Sequence, residues 1–482
     1  MTLTDTLHVA PSTTAEVPAT LVEPAPRALG LLDQCGFWGN LGVSLLGFAG
    51  AMSVLTPVGA APLSLGASVT AVVTGTVLGS LALAASLALG SRVGAPAMVL
   101  LRGLLGARAS YLPTILNLAQ CLGWAVFELV VIAGGLRAVT HRALPHWVFV
   151  CLAGAVTIAL TIRPLGAIRI LRRYVSLLVI VALLVLVVGM LRHPVPVTAG
   201  SWSGFWLGVD AAVAIPISWV PLGADYSRHA RSTRQAFAGG FLSFSAAQII
   251  CMLVGMVALA QVDRDPNGIF PLFLSLPLGT AAFAVLVVRE TDASFADVFS
   301  TAVSVQNLAP RWDRRILSVG IGVLATALAA TLDIAQYTNF LYVIGGVFVP
   351  LSGVLVAAWW RHRDRSWDVS TDAPLRPAML AAWAAGFVVY QVINPGSIGV
   401  WSDLWRQLGD AAHVTGQPWL SASLASFLVA ALLALPAADR VGRRTLPRGD
   451  TASDHDGTAA SDPEEDTVPG RNRGTVVDAE RR

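Results

Sequence analysis

Apolar residues in this chain come in long blocks rather than at the spacing of a half-buried helix or strand. Twelve blocks can be marked, over residues 36–56, 67–90, 111–136, 146–162, 174–191, 206–224, 237–261, 272–300, 316–332, 339–360, 378–394 and 418–437. Crossing the hydrocarbon of a bilayer takes roughly 20 apolar residues in a helix. The pattern therefore predicts an all-α integral membrane protein of about twelve transmembrane helices, occupying residues 34–437. The eighth block is the least regular, because its apolar run Ala281–Val288 is followed at once by Arg289, Glu290 and Asp292. Residues 1–33 and 438–482 lack such blocks and are rich in small, polar and charged residues, so both are expected to be disordered tails. The first of them has no continuous apolar core and does not read as a cleavable signal peptide.

Composition agrees with the pattern. Charged residues make up 13% of the 482, against about 25% in soluble domains. That leaves too little polar surface for a water-soluble body. The formal net charge of +3 is too small to suggest a nucleic-acid partner. All basic side chains are Arg, which with the Ala and Gly content points to a GC-rich bacterial source. Cys35, Cys121, Cys151 and Cys251 are scattered through apolar runs, with neither metal-ligand nor disulfide spacing.

The position of the Arg residues gives an orientation, because short cytoplasmic loops carry excess positive charge. With a cytoplasmic N-terminus, inner loops hold Arg92, Arg102, Arg108, Arg163, Arg169, Arg172, Arg173, Arg228, Arg231, Arg234, Arg311, Arg314, Arg315, Arg361, Arg363, Arg365 and Arg376. Outer loops hold only Arg137, Arg142, Arg192, Arg264 and Arg406. The bias repeats in every pair of loops, which supports the count of twelve. A multi-pass protein of the bacterial inner membrane is expected, with both termini cytoplasmic.

Two blocks contain residues that weaken a helix. Block one has Gly47-Phe48-Ala49-Gly50, and block six has Pro216-Ile217-Ser218-Trp219-Val220-Pro221. Freed backbone groups in a membrane must line a polar cavity or be satisfied by neighbouring helices. The two blocks stand five apart, as in an inverted repeat of five helices opened by discontinuous helices. Unwound carbonyls there would offer ligands to a cation. The alternative for Gly47 and Gly50 is a small-residue packing face.

Polar residues inside the blocks are the candidate chemistry. Asn117, Gln120, Trp124 and Glu128 recur on one helical face. A carboxylate at mid-membrane costs about 2.5–3.5 kcal/mol on insertion scales, so this face should line the interior. An aromatic ring flanked by an amide and a carboxyl suits a flat heterocycle with N–H and C=O edges, although an interhelical hydrogen-bond network would use the same residues. Arg289, Glu290, Asp292 and Asp297 crowd block eight. Some could pair, Arg289 with Asp292 for example, while Glu290, Ser294 and Asp297 form another face. A proton path or a cation site would use such a cluster. Asp225 and Arg228 end block six and read as a structural clamp or a gate.

With these residues in view, the chain resembles the nucleobase:cation symporter-1 family, which includes cytosine and hydantoin permeases. The resemblance rests on Leu45-Leu46-Gly47, Gly90-Ser91-Arg92-Val93-Gly94, Leu101-Arg102, Gly106 through Ser110-Tyr111-Leu112-Pro113, and Gly123-Trp124. It continues in Ile217-Ser218-Trp219, Ala224-Asp225-Tyr226-Ser227-Arg228 and Val349-Pro350-Leu351-Ser352-Gly353-Val354. It implies a leucine-transporter-like 5+5 inverted repeat with broken helices one and six, two extra C-terminal helices, and alternating access. It also implies a base held between Trp124 and Trp219, with Glu128, Gln120, Ser218 and Ser294 around it. A coupling ion, Na⁺ or H⁺, would sit at Gly47, Gly50 and Asp292. Asp292 stands where relatives have a hydroxyl ligand, and Ser294 where they have an Asn.

The expected function is import of a nucleobase-like heterocycle, such as cytosine, a purine, hydroxymethylpyrimidine, hydantoin or allantoin, by cation symport. No cofactor is expected, and the carrier is expected to work as a monomer in the lipid bilayer. A membrane enzyme is disfavoured because no metal cluster, nucleophile triad or phosphate-binding Gly loop is present in the sequence. A channel or uncoupled facilitator would not need paired breaks and an aromatic clamp.

Overall fold

The computed structural model describes residues 16–196, 199–331, 337–362, 366–415 and 417–438. The chain divides into Met1–Arg444 and Thr445–Arg482. The tail expected beyond residue 438, like residues 1–15, lies outside the described residues.

All regular structure among the described residues is helical, save two isolated bridges, Leu29 with Ala230 and Leu63 with Ser201. The first expected span is a bent pair, α1 (Leu31–Leu41) and α2 (Leu45–Leu55), meeting at 53°. Then come α3 (Leu65–Val93), the short α4 (Ala97–Leu105), α5 (Tyr111–Val139), α6 (His146–Ile162) and α7 (Pro164–Met190). The second half begins with α8 (Phe205–Ser227) and α9 (Thr233–Gln261), followed by the short α10 (Ile269–Ser275). α11 (Gly279–Arg289) and α12 (Thr291–Leu308) together form the eighth span. α13 (Arg314–Ala329), α14 (Tyr337–His362), α15 (Pro377–Ile393), the short α16 (Gly399–Ala411) and α17 (Ala422–Ala438) complete the chain. Each of the twelve apolar blocks thus has its helix. Six helices are individually long and apolar enough to cross a membrane, seven with the bent pair, and α6, α15 and α17 are shorter apolar helices.

The fifth span begins at Pro164, ten residues before the expected 174, and three further features differ from the sequence reading. The break in the first span falls at Gly42-Val43-Ser44, not at Gly47–Gly50, because Ser44 caps α2 by accepting the Leu46 N–H at 3.1 Å. Gly47 is helical, and its carbonyl accepts the Ala51 N–H at 3.2 Å. The sixth span is one continuous helix with Pro216 and Pro221 inside it. Pro216 leaves the Ala212 carbonyl without its helical donor. Gln248 of α9 supplies one, Nε2 to oxygen at 3.0 Å, so the helix holds without unwinding. The eighth span starts later and ends later than 272–300, because Pro277 and a left-handed Leu278 (φ 59°) separate α10 from α11.

The main interior seam is α3 against α8. A Cβ on Gly75 would lie 2.6 Å from the Val209 carbonyl, and one on Gly79 would lie 2.4 Å from the Pro216 ring. Small residues four apart therefore let the two backbones touch, the usual device where lipid gives no hydrophobic drive between helices. By contrast α7 exposes Leu177, Leu178, Ile180, Leu184 and Val188, as a lipid-facing surface should.

Residues 16–30 are not tail. Glu16 accepts the Leu165 and Gly166 N–H groups at 2.8 and 3.1 Å, at the start of α7. The Ala19 carbonyl accepts from Arg314 N, and the Pro310 carbonyl from Leu21 N. Arg27 donates to the carbonyls of Ser91 and Ala230, and Leu29 exchanges main-chain hydrogen bonds with His229 and Arg231. This strap thus ties together four loops that the Arg pattern assigns to one face.

Candidate substrate and cation site

The broken first span, α5, α8, α9 and α12 enclose a narrow interior slot. Its walls include Trp124 and Glu128 from α5, Ser218 and Trp219 from α8, Gln248 and Cys251 from α9, and Asp297 from α12. Ser44 and Gly47 close it at the break. The empty space between these groups is about 580 Å³, mouth included, but the centres of water molecules could occupy only about 40 Å³ of it. The walls are therefore close together, and little of the space is open in this state.

Each indole is fixed from behind. Trp124 meets Phe340 edge-on at 5.4 Å and Phe127 at 6.4 Å. Trp219 packs edge-on against Trp38 at 6.4 Å. Two polar oxygens stand ready in the walls. Glu128 Oε2 and Gln248 Oε1 are buried without a hydrogen-bond partner among the described residues. Gln248 is oriented by its other end, which donates to Thr76 Oγ1 and the Ala212 carbonyl. The lining thus offers two ring faces and acceptors for N–H groups. Unmet acceptors in a dry site cost about 1–3 kcal/mol each, which a ligand with donors would recover.

Six residues singled out from sequence meet in the slot: Trp124, Glu128, Ser218, Trp219, Gly47 and Asp297. The others lie elsewhere. Gln120 donates to Asn117 Oδ1 and to the Ser218 carbonyl at 3.0 Å, and so ties α5 to α8. Ser294 turns toward α6 and shares a 2.7 Å hydrogen bond with Thr157. Its place in the wall is taken by Ala293 and Asp297. Gly50 ends the regular part of α2 ahead of the turn residue Ala51. Asp225 accepts the Ala97 N–H at 2.9 Å and caps α4, while Arg228 Nε donates to the Asp225 main-chain oxygen at 3.3 Å. Asp225 thus clamps α8 to α4, while Arg228 bonds back to its own helix. Gln248 is a wall residue that the sequence reading does not single out, and its place in the middle of an apolar run is the available signal.

Behind the slot, at the α11–α12 junction, is a buried ionic cluster. The expected i,i+3 pair forms, with Arg289 Nη2 3.0 Å from Asp292 Oδ1. Arg289 Nη1 lies 2.6 Å from Glu290 Oε2. Glu290 in turn accepts from Ser44 Oγ at 2.6 Å and from the Leu45 N–H at 3.1–3.2 Å. A carboxylate at a helix N-terminus is favoured by both the open N–H groups and the dipole. The start of α2 is thereby already occupied by a protein anion.

A model of the family of permeases for cytosine/purines, uracil, thiamine and allantoin matches residues 27–376, more than half of the 482. The chain belongs to that family. This permease is 24% identical over 332 residues to YxlA of Bacillus subtilis (strain 168), a protein of the purine-cytosine permease type, covering 63% of the chain and 70% of that protein. Its fold is similar to that of Mhp1, a nucleobase-cation-symport-1 family transporter, closed with bromovinylhydantoin bound. There the TM-score is 0.70 at 16% identity, over 89% of the permease and 96% of that chain. It is also similar to a Na⁺-coupled sialic acid symporter in a substrate-bound outward-open state, with TM-score 0.55 at 10% identity over 86% and 90% of the two chains. At these identities the structural likeness is one of fold: an all-helical leucine-transporter-like arrangement. The permease is a multi-pass membrane transporter and not an enzyme.

Proposed function

We propose that this permease imports a flat nitrogen heterocycle of the nucleobase type by cation symport with alternating access, holding the ring between Trp124 and Trp219. One observation carries the substrate class: a narrow slot with two indoles and two unmet acceptor oxygens, Glu128 Oε2 and Gln248 Oε1. A planar ring uses the indole faces, and its ring or exocyclic N–H groups meet the acceptors. Asp297 adds a second carboxyl-bearing wall position beside Glu128. The sharp α1–α2 bend gives the bundle a joint beside the slot, as exchange of access between the two membrane faces requires.

The Arg distribution supports a bacterial inner-membrane location with both termini cytoplasmic. The whole slot is built from one chain, which supports a working monomer. The test is a thermal-shift panel on the purified permease, using cytosine, purines, hydroxymethylpyrimidine, hydantoin and allantoin. At least one flat heterocycle should raise the Tm, and that compound should show isotope counterflow in vesicles. Binding without counterflow would indicate a channel, and no binding by any of the panel would reject the substrate class.

A further inference from the structure

Metal-ion coupling at the α1–α2 break needs oxygens that can take up a hard cation and release it. The resemblance puts that ion at Gly47, Gly50 and Asp292. In the structure the residues there do not fit it. The Gly47 carbonyl already accepts the Ala51 N–H at 3.2 Å. Asp292 and Glu290, the carboxylates at this junction, both lie against Arg289, at 3.0 and 2.6 Å. Arg289, Glu290 and Asp292 are each at most 1% exposed. Arg cannot give up its proton inside a protein, so its charge is permanent. A metal ion on the same oxygens would stand about 4 Å from the guanidinium. At the effective dielectric of such sites, that repulsion lowers ion affinity roughly a thousandfold.

Withdrawing the guanidinium would not help. It would strip two buried carboxylates of their partner, and Glu290 also caps α2 through Ser44 and Leu45.

We infer that Arg289 is a tethered cation in place of an exchangeable metal ion at the α1–α2 break, and that this permease works without Na⁺. The inference rests on the reading of the protein as a cation-coupled permease, and it leaves the proton as the coupling cation.

The test uses the full-length protein in two assays. Substrate-free protein is melted in NaCl and in choline chloride of equal ionic strength. Liposomes are loaded so that a compound from the thermal-shift panel enters against a Na⁺ gradient, a pH gradient or neither. Wild type should melt at the same temperature in both salts, and its initial uptake rate should change less than twofold with Na⁺. Arg289→Gln, which removes the charge and keeps much of the shape, should acquire a Na⁺-dependent rise in Tm. Arg289→Lys should stay insensitive.

A wild-type rate raised fivefold or more by Na⁺, or a Na⁺-specific rise in its Tm, overturns the inference. So does a folded Arg289→Gln that remains blind to Na⁺. Should Arg289→Gln not fold, the wild-type arms still decide. Failure of every heterocycle to bind would count against the proposed substrate class alone, since the melting comparison needs no substrate.

Discussion

Trp124 and Glu128 are one helical turn apart on α5, and they do different jobs. Stacking of a base on an aromatic ring contributes about 1–3 kcal/mol. Trp124→Ala should therefore weaken binding roughly tenfold to a hundredfold, read by calorimetry or by the uptake KM, while membrane insertion is unchanged. Unaltered kinetics would remove the clamp. Glu128 offers an acceptor with a bare oxygen. Glu128→Gln keeps its size and replaces one acceptor by a donor, so the order of preference among heterocycles should change. A uniform fall for all of them would assign Glu128 to folding or coupling instead. Asp297 is open to the same exchange, and Asp297→Asn should lower affinity for donor-rich ligands by about fivefold, the value of roughly one hydrogen bond. The Trp124–Glu128 face was legible in sequence because it lies within one helix of known period. Which of Ser294 and Asp297 enters the slot was not, since that depends on the rotation of α12 against α5 and α6.

Helix ends in this protein are often capped from far away in sequence, and here sequence reading reached its limit. The twelve blocks were legible because hydrocarbon thickness sets their length. The break in the first span was misplaced because Gly alone does not unwind a helix held on both sides. The start of α2 is fixed by Ser44 and by Glu290, 245 residues distant. In the same way Pro216 of α8 suggests a break, but Gln248 supplies its missing donor. The C-terminal end repeats the device: Asp210 of α8 accepts from Ser421 Oγ at 2.5 Å and from the N–H groups of Ala422 and Ser423, at the start of α17. An N-terminal cap is worth about 0.5–2 kcal/mol. Asp210→Ala should lower the Tm by a few degrees and raise hydrogen exchange at the start of α17, with the substrate slot unaffected. Equal exchange in both proteins would show that α17 docks without the cap.

Across the whole molecule, the strap of residues 16–30 fastens the Arg-rich face. His229 is buried in this fastening, with Nδ1 3.0 Å from the Pro26 carbonyl. Burial, and next the Arg228 charge, push its pKa well below the ordinary imidazole value. A depressed His pKa means that the docked strap disfavours the proton. The contribution of His229 is therefore complete above about pH 6.5, the undocked value, and is lost as pH falls below it. The protection of residues 16–30 against hydrogen exchange, taken relative to the intrinsic amide rate at each pH, should fall between pH 7.5 and 5.5, and His229→Asn should abolish that fall; a strap equally protected at both pH values would exclude His229 as its sensor. The strap also fixes an order of events during synthesis. Its anchors at Ser91, Leu165, Ala230 and finally Pro310 and Arg314 are all translated after it. A segment that leaves the ribosome early is thus among the last to be secured. Until the loop carrying Arg314 has emerged, the nascent permease has an unfastened leading end, which a ribosome-stalled chain truncated before that loop should expose to protease and a chain stalled beyond it should not.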